Sequence, residues 1–152
     1  MVEVETRVER AFQLAVPVEA AWALLRDVPR WGVLFPHVEA VEPLPEAGAF
    51  RWRMAPLGPP GGRVHVVYAC RYHAEAHALR WSPVQGVGNA RFEGRCALAP
   101  TGAGATAGTL DLGSRLWIPA PAFMAGVVRP AVRAEMGRMT DTFLRRLGDA
   151  LE

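Results

Sequence analysis

The sequence predicts an α+β domain in which a curved seven-stranded antiparallel sheet wraps around one long C-terminal helix, with two short helices after the first strand. Three observations lead there. Apolar and charged residues alternate with period two from Val4 to Leu14, the same period returns for about eighty residues after Pro36, and helical spacing takes over in the last thirty or so. A chain of 152 residues with 51% hydrophobic and 21% charged side chains has the size and make-up of one folded unit, so 1–152 reads as a single domain.

In the first strand Val4, Thr6, Val8, Arg10, Phe12 and Leu14 share one face, opposite Glu3, Glu5, Arg7, Glu9 and Gln13. Pro17 suits the first position of a helix, and Val18, Ala21, Trp22 and Leu25 keep helical spacing up to Asp27, where Val28-Pro29 is expected to stop it. A short apolar turn from Trp31 to Pro36 follows. Val38–Val41 is then a strand, turned by the segment Glu42 to Gly48, and Phe50, Trp52 and Met54 alternate with arginines in the next. Gly58-Pro59-Pro60-Gly61-Gly62 reads as a loop. Beyond it Val64, Val66, Tyr68, Cys70 and Tyr72 share a face, Leu79 and Trp81 flank Arg80, and Ala90, Phe92, Gly94, Cys96 and Leu98 oppose Arg91, Glu93 and Arg95. After the Thr101–Gly104 turn, Thr106 to Ile118 runs back. Met124, Val128, Val132, Met136, Met139, Phe143 and Leu147 then form one helical stripe, with a kink expected between Gly126 and Pro130 because proline lacks the amide hydrogen a helix interior needs.

Composition excludes several function classes. The basic residues are all arginine, and against 15 acids they leave a net charge of only +2, too balanced for a nucleic-acid footprint. The longest uncharged apolar stretch, Leu116 to Val128, is interrupted by Pro119, Pro121 and Gly126 and falls short of the ~20 residues a bilayer span needs, although it could touch a membrane surface or a second subunit, or simply be buried. Cys70 and Cys96 lie too far apart for a CxxC pair, and Met-Val-Glu-Val-Glu has no signal-peptide character; a cytoplasmic protein with reduced thiols is expected. Oligomeric state is not legible.

The order of elements, together with Val16-Pro17-Val18-Glu19-Ala20-Ala21-Trp22-Ala23-Leu24-Leu25-Arg26-Asp27, the Trp31 to Val41 segment and the closing Arg129-Pro130 to Leu147 helix, resembles the START/Bet v 1-like (SRPBCC) superfamily, which includes polyketide cyclase/dehydrase-type proteins. The resemblance implies the helix-grip fold. It leaves function open among binders, transporters and enzymes.

One helix about 10 Å across cannot cover the concave face of a seven-stranded sheet, so a hollow is expected between them. The inward positions that would line it are Phe50, Trp52, Met54, Tyr68, Tyr72, Trp81, Phe92 and Leu110 from the sheet, and Phe123, Met124, Val128 and Met136 from the helix. Such a lining suits a hydrophobic small molecule, a lipid, isoprenoid quinone or polyketide-like compound, bound without covalent chemistry. A polyketide aromatase/cyclase-like enzyme and an interaction module with a filled core are the alternatives. Arg10, on the apolar parity of its strand, either reaches solvent at a bulge, meets an acid, or awaits an anionic head group.

No catalytic residue, cofactor or metal is expected. His73-Ala-Glu-Ala-His77 sits at a hairpin without a third ligand, and the glycines at Gly86–Gly88 and Gly102–Gly104 open no helix. Ser82 and Ser114 lack the GxSxG setting of a nucleophile, and Cys70 and Cys96, on the apolar face, read as buried inert thiols. Acid/base chemistry from Tyr68, Tyr72, Arg10, His37 or Asp111 is compatible with the sequence but not required by it.

Overall fold

A computed structural model of the chain describes residues 1–58 and 62–152, so the turn expected from Gly58 to Gly62 falls largely outside the described residues. Among the described residues, strand β1 (Val2–Leu14) alternates buried and exposed positions over most of its length, as its period-two sequence requires. Pro17 stands in extended backbone just ahead of helix α1 (Val18–Leu25), which buries Val18, Ala21, Leu24 and Leu25. Val28-Pro29 does more than end that helix. It begins a second one, α2 (Val28–Gly32), because a proline in the first turn gives up an amide hydrogen that has no intrahelical partner there.

Six strands follow among the described residues: β2 (Val38–Pro43), β3 (Ala49–Met54), β4 (Val67–Glu75), β5 (Ala78–Pro83), β6 (Ala90–Pro100) and β7 (Thr106–Ile118). They join β1 in one sheet of order β1-β7-β6-β5-β4-β3-β2, with every neighbouring pair antiparallel. Strand β4 begins later than the alternation from Val64 suggests. Val64 only bridges Leu57, while the Asn89 side chain accepts from the Val67 amide at 3.0 Å and donates to the His65 carbonyl at 2.8 Å, taking the place of a ladder partner.

A turn of 3-10 helix (Ala122–Met124) leads into α3 (Ala125–Leu151), which runs through Pro130 as one helix. Its buried residues, Met136, Met139, Thr140, Phe143 and Leu147, all belong to the C-terminal part. The earlier turns lie along the outer edge of the sheet, where Arg129 Nε donates to the Glu3 carbonyl and Arg133 Nε to the Glu5 carbonyl, each at 3.1 Å. β1 is an edge strand, and these arginines occupy main-chain acceptors that another strand could otherwise claim.

Candidate functional site

The hollow between sheet and helix is walled by Trp52, Met54, Tyr68, Tyr72, Trp81, Phe92 and Leu110 from the expected sheet positions and by Met136 from the helix. The sequence reading missed the contribution of α2 and the turn after it. Trp31 and Phe35 enter the same wall, as do Met139 and Phe143 of α3. Their i,i+4 spacing, aromatic at 31 and 35, was the available signal, but without the tertiary structure it marks only an apolar face.

Trp31 is the hub of the wall. It is 3% exposed, and its ring centroid lies 5.4 Å from Trp52, 5.8 Å from Phe143, 6.1 Å from Tyr72, 6.2 Å from Trp81 and 6.4 Å from Phe35. Phe35 stacks on Phe143 at 4.1 Å and 6°, and Tyr68 lies between Trp52 and Phe92 at 5.7 and 4.2 Å. Edge and offset contacts of this kind add to simple burial. The rings fill most of the expected space, leaving about 60 Å3. A hollow that size is far below the ~300–1,000 Å3 of an ordinary ligand pocket.

A second, wider cleft of about 550 Å3 adjoins it at Phe92, which lines both. Register places Thr6, Ser114 and Phe92 in one row across three strands, on the same sheet face as the leucines at 110, 112 and 116 that line the hollow. Thr6 and Ser114 hydrogen-bond through their hydroxyls, and the rest of the cleft is lined by Pro83, Gln85 and Gly113, by Glu5 and Glu93, and by Arg7, Arg91, Arg115 and Arg133. The site therefore has an aromatic inner part without a charged side chain and, beyond Phe92, a charged outer part with four arginines and two glutamates.

Four expected wall residues, Phe50, Phe123, Met124 and Val128, and the candidate Arg10 lie elsewhere. Arg10 does not turn outward at a bulge, since the β1–β7 register is unbroken from Val2 to Leu14; it meets an acid, Nε to Asp141 Oδ1 at 2.7 Å, because α3 crosses the edge strand at that point. That partner raises the guanidinium pKa and leaves Arg10 turned toward the helix flank instead of the hollow. Asp111 pairs with Arg7 on the outer face. Phe123 is 85% exposed, and Met124 and Val128 are half-buried outside the hollow, because the first turns of α3 follow the β1 edge. Phe50 is half-buried and does not line the hollow, its ring 6.0 Å from Tyr72. His77 packs edge-on against Trp22 at 6.2 Å, and among the described residues no group of three or more His, Cys, Asp or Glu is gathered as metal ligands would be. No helix among them is long and apolar enough to cross a membrane.

Burial sets the protonation of the interior. It pushes the Cys70 and Cys96 thiols up to about 12 and holds the Tyr68 and Tyr72 phenols well above their ordinary value. Thiolate and phenolate nucleophiles are thereby disfavoured near neutrality. Between about pH 8.5 and 12 the unfolded chain releases thiol protons that the folded chain keeps, so stability is full below that window and falls as pH rises through it, by about 1.4 kcal/mol per unit for each thiol. The expected result is an unfolding midpoint in urea that drops steeply from pH 8.5 to 10, with Ellman's reagent reacting only in step with unfolding. Rapid thiol titration of the folded protein at pH 8 would contradict it.

The family described as "Polyketide cyclase / dehydrase and lipid transport" has a model that matches residues 5–152. Solved structures share the fold. TTHA0849 from Thermus thermophilus is 25% identical with a TM-score of 0.69, covering 97% of this chain and 96% of its own. A START superfamily protein from Mycobacterium smegmatis is 16% identical with a TM-score of 0.73, covering 95% and 96%. The Zhui aromatase/cyclase from Streptomyces sp. R1128 is 19% identical with a TM-score of 0.70, covering 97% and 93%. Among curated protein sequences none matches.

Proposed function

The chain belongs to the polyketide cyclase/dehydrase and lipid-transport family, and from that premise we propose that it binds a hydrophobic small molecule between its sheet and its long helix. The observation that carries this reading is a charge-free aromatic hollow that shares Phe92 as a lining residue with an open, arginine-rich cleft. An amphipathic guest would place its apolar body in the first and its polar end in the second, with removal of apolar surface from water supplying about 25 cal/mol per Å2 before ordering costs. A lipid, an isoprenoid quinone and a polyketide-like compound all have that form, and the aromatase/cyclase neighbour favours planar rings among them. Binding here involves no covalent step. Two buried free thiols support a reducing, cytoplasmic setting.

A guest larger than about 60 Å3 has to displace rings, and Phe35 is the one best placed to move. It is half-buried on the short connection between α2 and β2, stacked on Phe143 and edge-on to Trp52 at 6.3 Å. N-phenyl-1-naphthylamine is therefore expected to give blue-shifted, saturable fluorescence with the protein, displaced by long-chain or planar apolar competitors. Phe35→Ala should bind this probe about tenfold more tightly while losing about 2–3 kcal/mol of stability, less than a fully buried phenylalanine would. No probe uptake by either protein would overturn the binding reading and leave a filled core.

A further inference from the structure

The first turns of the long helix carry an apolar face that is left uncovered among the described residues. Phe123 and Val127 are 85% and 65% exposed, and Pro130, Ala131 and Ala134 continue the same exposed face at helical spacing. A surface helix ordinarily turns such a face inward, and α3 does so only from Met136 onward. Single exposed apolar side chains are common, but a contiguous face of them marks a contact surface. The charge beside it has one sign. From Pro119 to Ala134 the chain has two arginines and no acid. Arg129 and Arg133 flank the face on the side toward β1, each giving Nε to a main-chain carbonyl and pairing with no carboxylate among the described residues. The nearby Glu3 and Glu5 carboxylates are already taken by Arg115, at 3.1 and 2.6 Å.

We infer that this face docks the protein onto an anionic lipid bilayer, with Phe123 and Val127 entering the boundary of the acyl chains and Arg129 and Arg133 meeting lipid phosphates. A helix that lies in the plane of the interface needs just this pairing of an apolar face with flanking basic side chains. The guanidinium nitrogens that the main chain leaves free supply the donors, and each arginine held near a negative surface adds to the attraction. A second copy of the chain suits the face less well. A two-fold contact through it would set the same unpaired arginines against each other, and so few residues fall well short of the ~20–30 a side that a stable dimer uses. Arg133 also lines the wider cleft, so docking brings that cleft to the lipid surface. Docking needs no guest in the hollow and stands or falls apart from the binding function.

The test is co-sedimentation of the full chain with vesicles of phosphatidylcholine alone and of phosphatidylcholine with about one-third phosphatidylglycerol. Binding should appear on the anionic vesicles at ~0.05 M salt, weaken at least about tenfold at ~0.5 M, and be at least about tenfold weaker on phosphatidylcholine alone. Phe123→Ser should reduce it about tenfold and Arg129→Gln about threefold to fivefold. Because Phe123 is exposed, Phe123→Ser should melt within about 2 °C of the parent, so that lost binding is not lost folding. Val127→Ser repeats the measurement at a second exposed position. Equal binding to the two kinds of vesicle, binding indifferent to Phe123→Ser and Val127→Ser, or no binding to the anionic vesicles would overturn this inference. Dimers in solution that Phe123→Ser disperses, without vesicle binding, would overturn it and assign the face to a second copy.

Discussion

Trp31→Ala is expected to remove about 4 kcal/mol of folding free energy, a large share of the ~5–15 kcal/mol that a domain of this size has in total. The reason is the position of Trp31 at the point where α2, β3, β4, β5 and α3 meet: its ring neighbours Trp52, Tyr72, Trp81 and Phe143 come from four of those elements. Removing the ring leaves each of those side chains without a contact on one side, and a short helix of five residues has little else to hold it. Urea denaturation should show a lower midpoint with an unchanged slope, and the N-phenyl-1-naphthylamine signal should lose saturability as the wall loosens. A variant within about 1 kcal/mol of the parent would mean that the aromatic cluster is not what ties α2 to the sheet.

Gly94→Val is expected to destabilise by about 3 kcal/mol through overpacking, although it adds apolar volume to a strand and valine favours strands. Gly94 pairs with Trp81, and a Cβ at position 94 would stand 2.6 Å from the Trp81 ring and 2.4 Å from the Asp111 carbonyl oxygen. Glycine here is a matter of close approach, since the indole lies over the bare main chain of β6. A side chain would drive Trp81 out of the wall of the hollow, so probe affinity should fall together with the melting temperature. Near-ultraviolet circular dichroism, sensitive to the Trp81 environment, should change even at temperatures where the variant is folded. Unchanged stability and an unchanged spectrum would show that β6 can shift to make room.

The alternation of apolar and polar residues was enough to place β1, β3, β6 and β7 close to where they lie, because each has one buried face and period two has no other comfortable home. The tryptophan, tyrosine and methionine positions that form much of the wall were legible for the same reason. Side-chain parity was a correct guide for Trp52, Met54, Tyr68 and Tyr72 and a misleading one for Arg10, where parity gives the face but not what stands opposite it. On an edge strand crossed by α3, that neighbour was Asp141. Phe123, Met124 and Val128 extend the apolar stripe of α3, yet helical spacing cannot say how far along the stripe the helix stays over the sheet centre. The arginine contacts to the Glu3 and Glu5 carbonyls decide that, and they involve main-chain atoms that leave no mark in a sequence.

By itself, then, the sequence determined an antiparallel sheet facing one long helix and the aromatic character of the space between them, since both follow from local periodicity and residue type. Only the tertiary structure decided how much of that space is occupied. Volume left over depends on how rings from α2, the sheet and α3 interleave, a many-body property of side chains distant along the chain, and here Trp31 and Phe35 close down to about 60 Å3 a hollow that strand and helix widths alone would leave open.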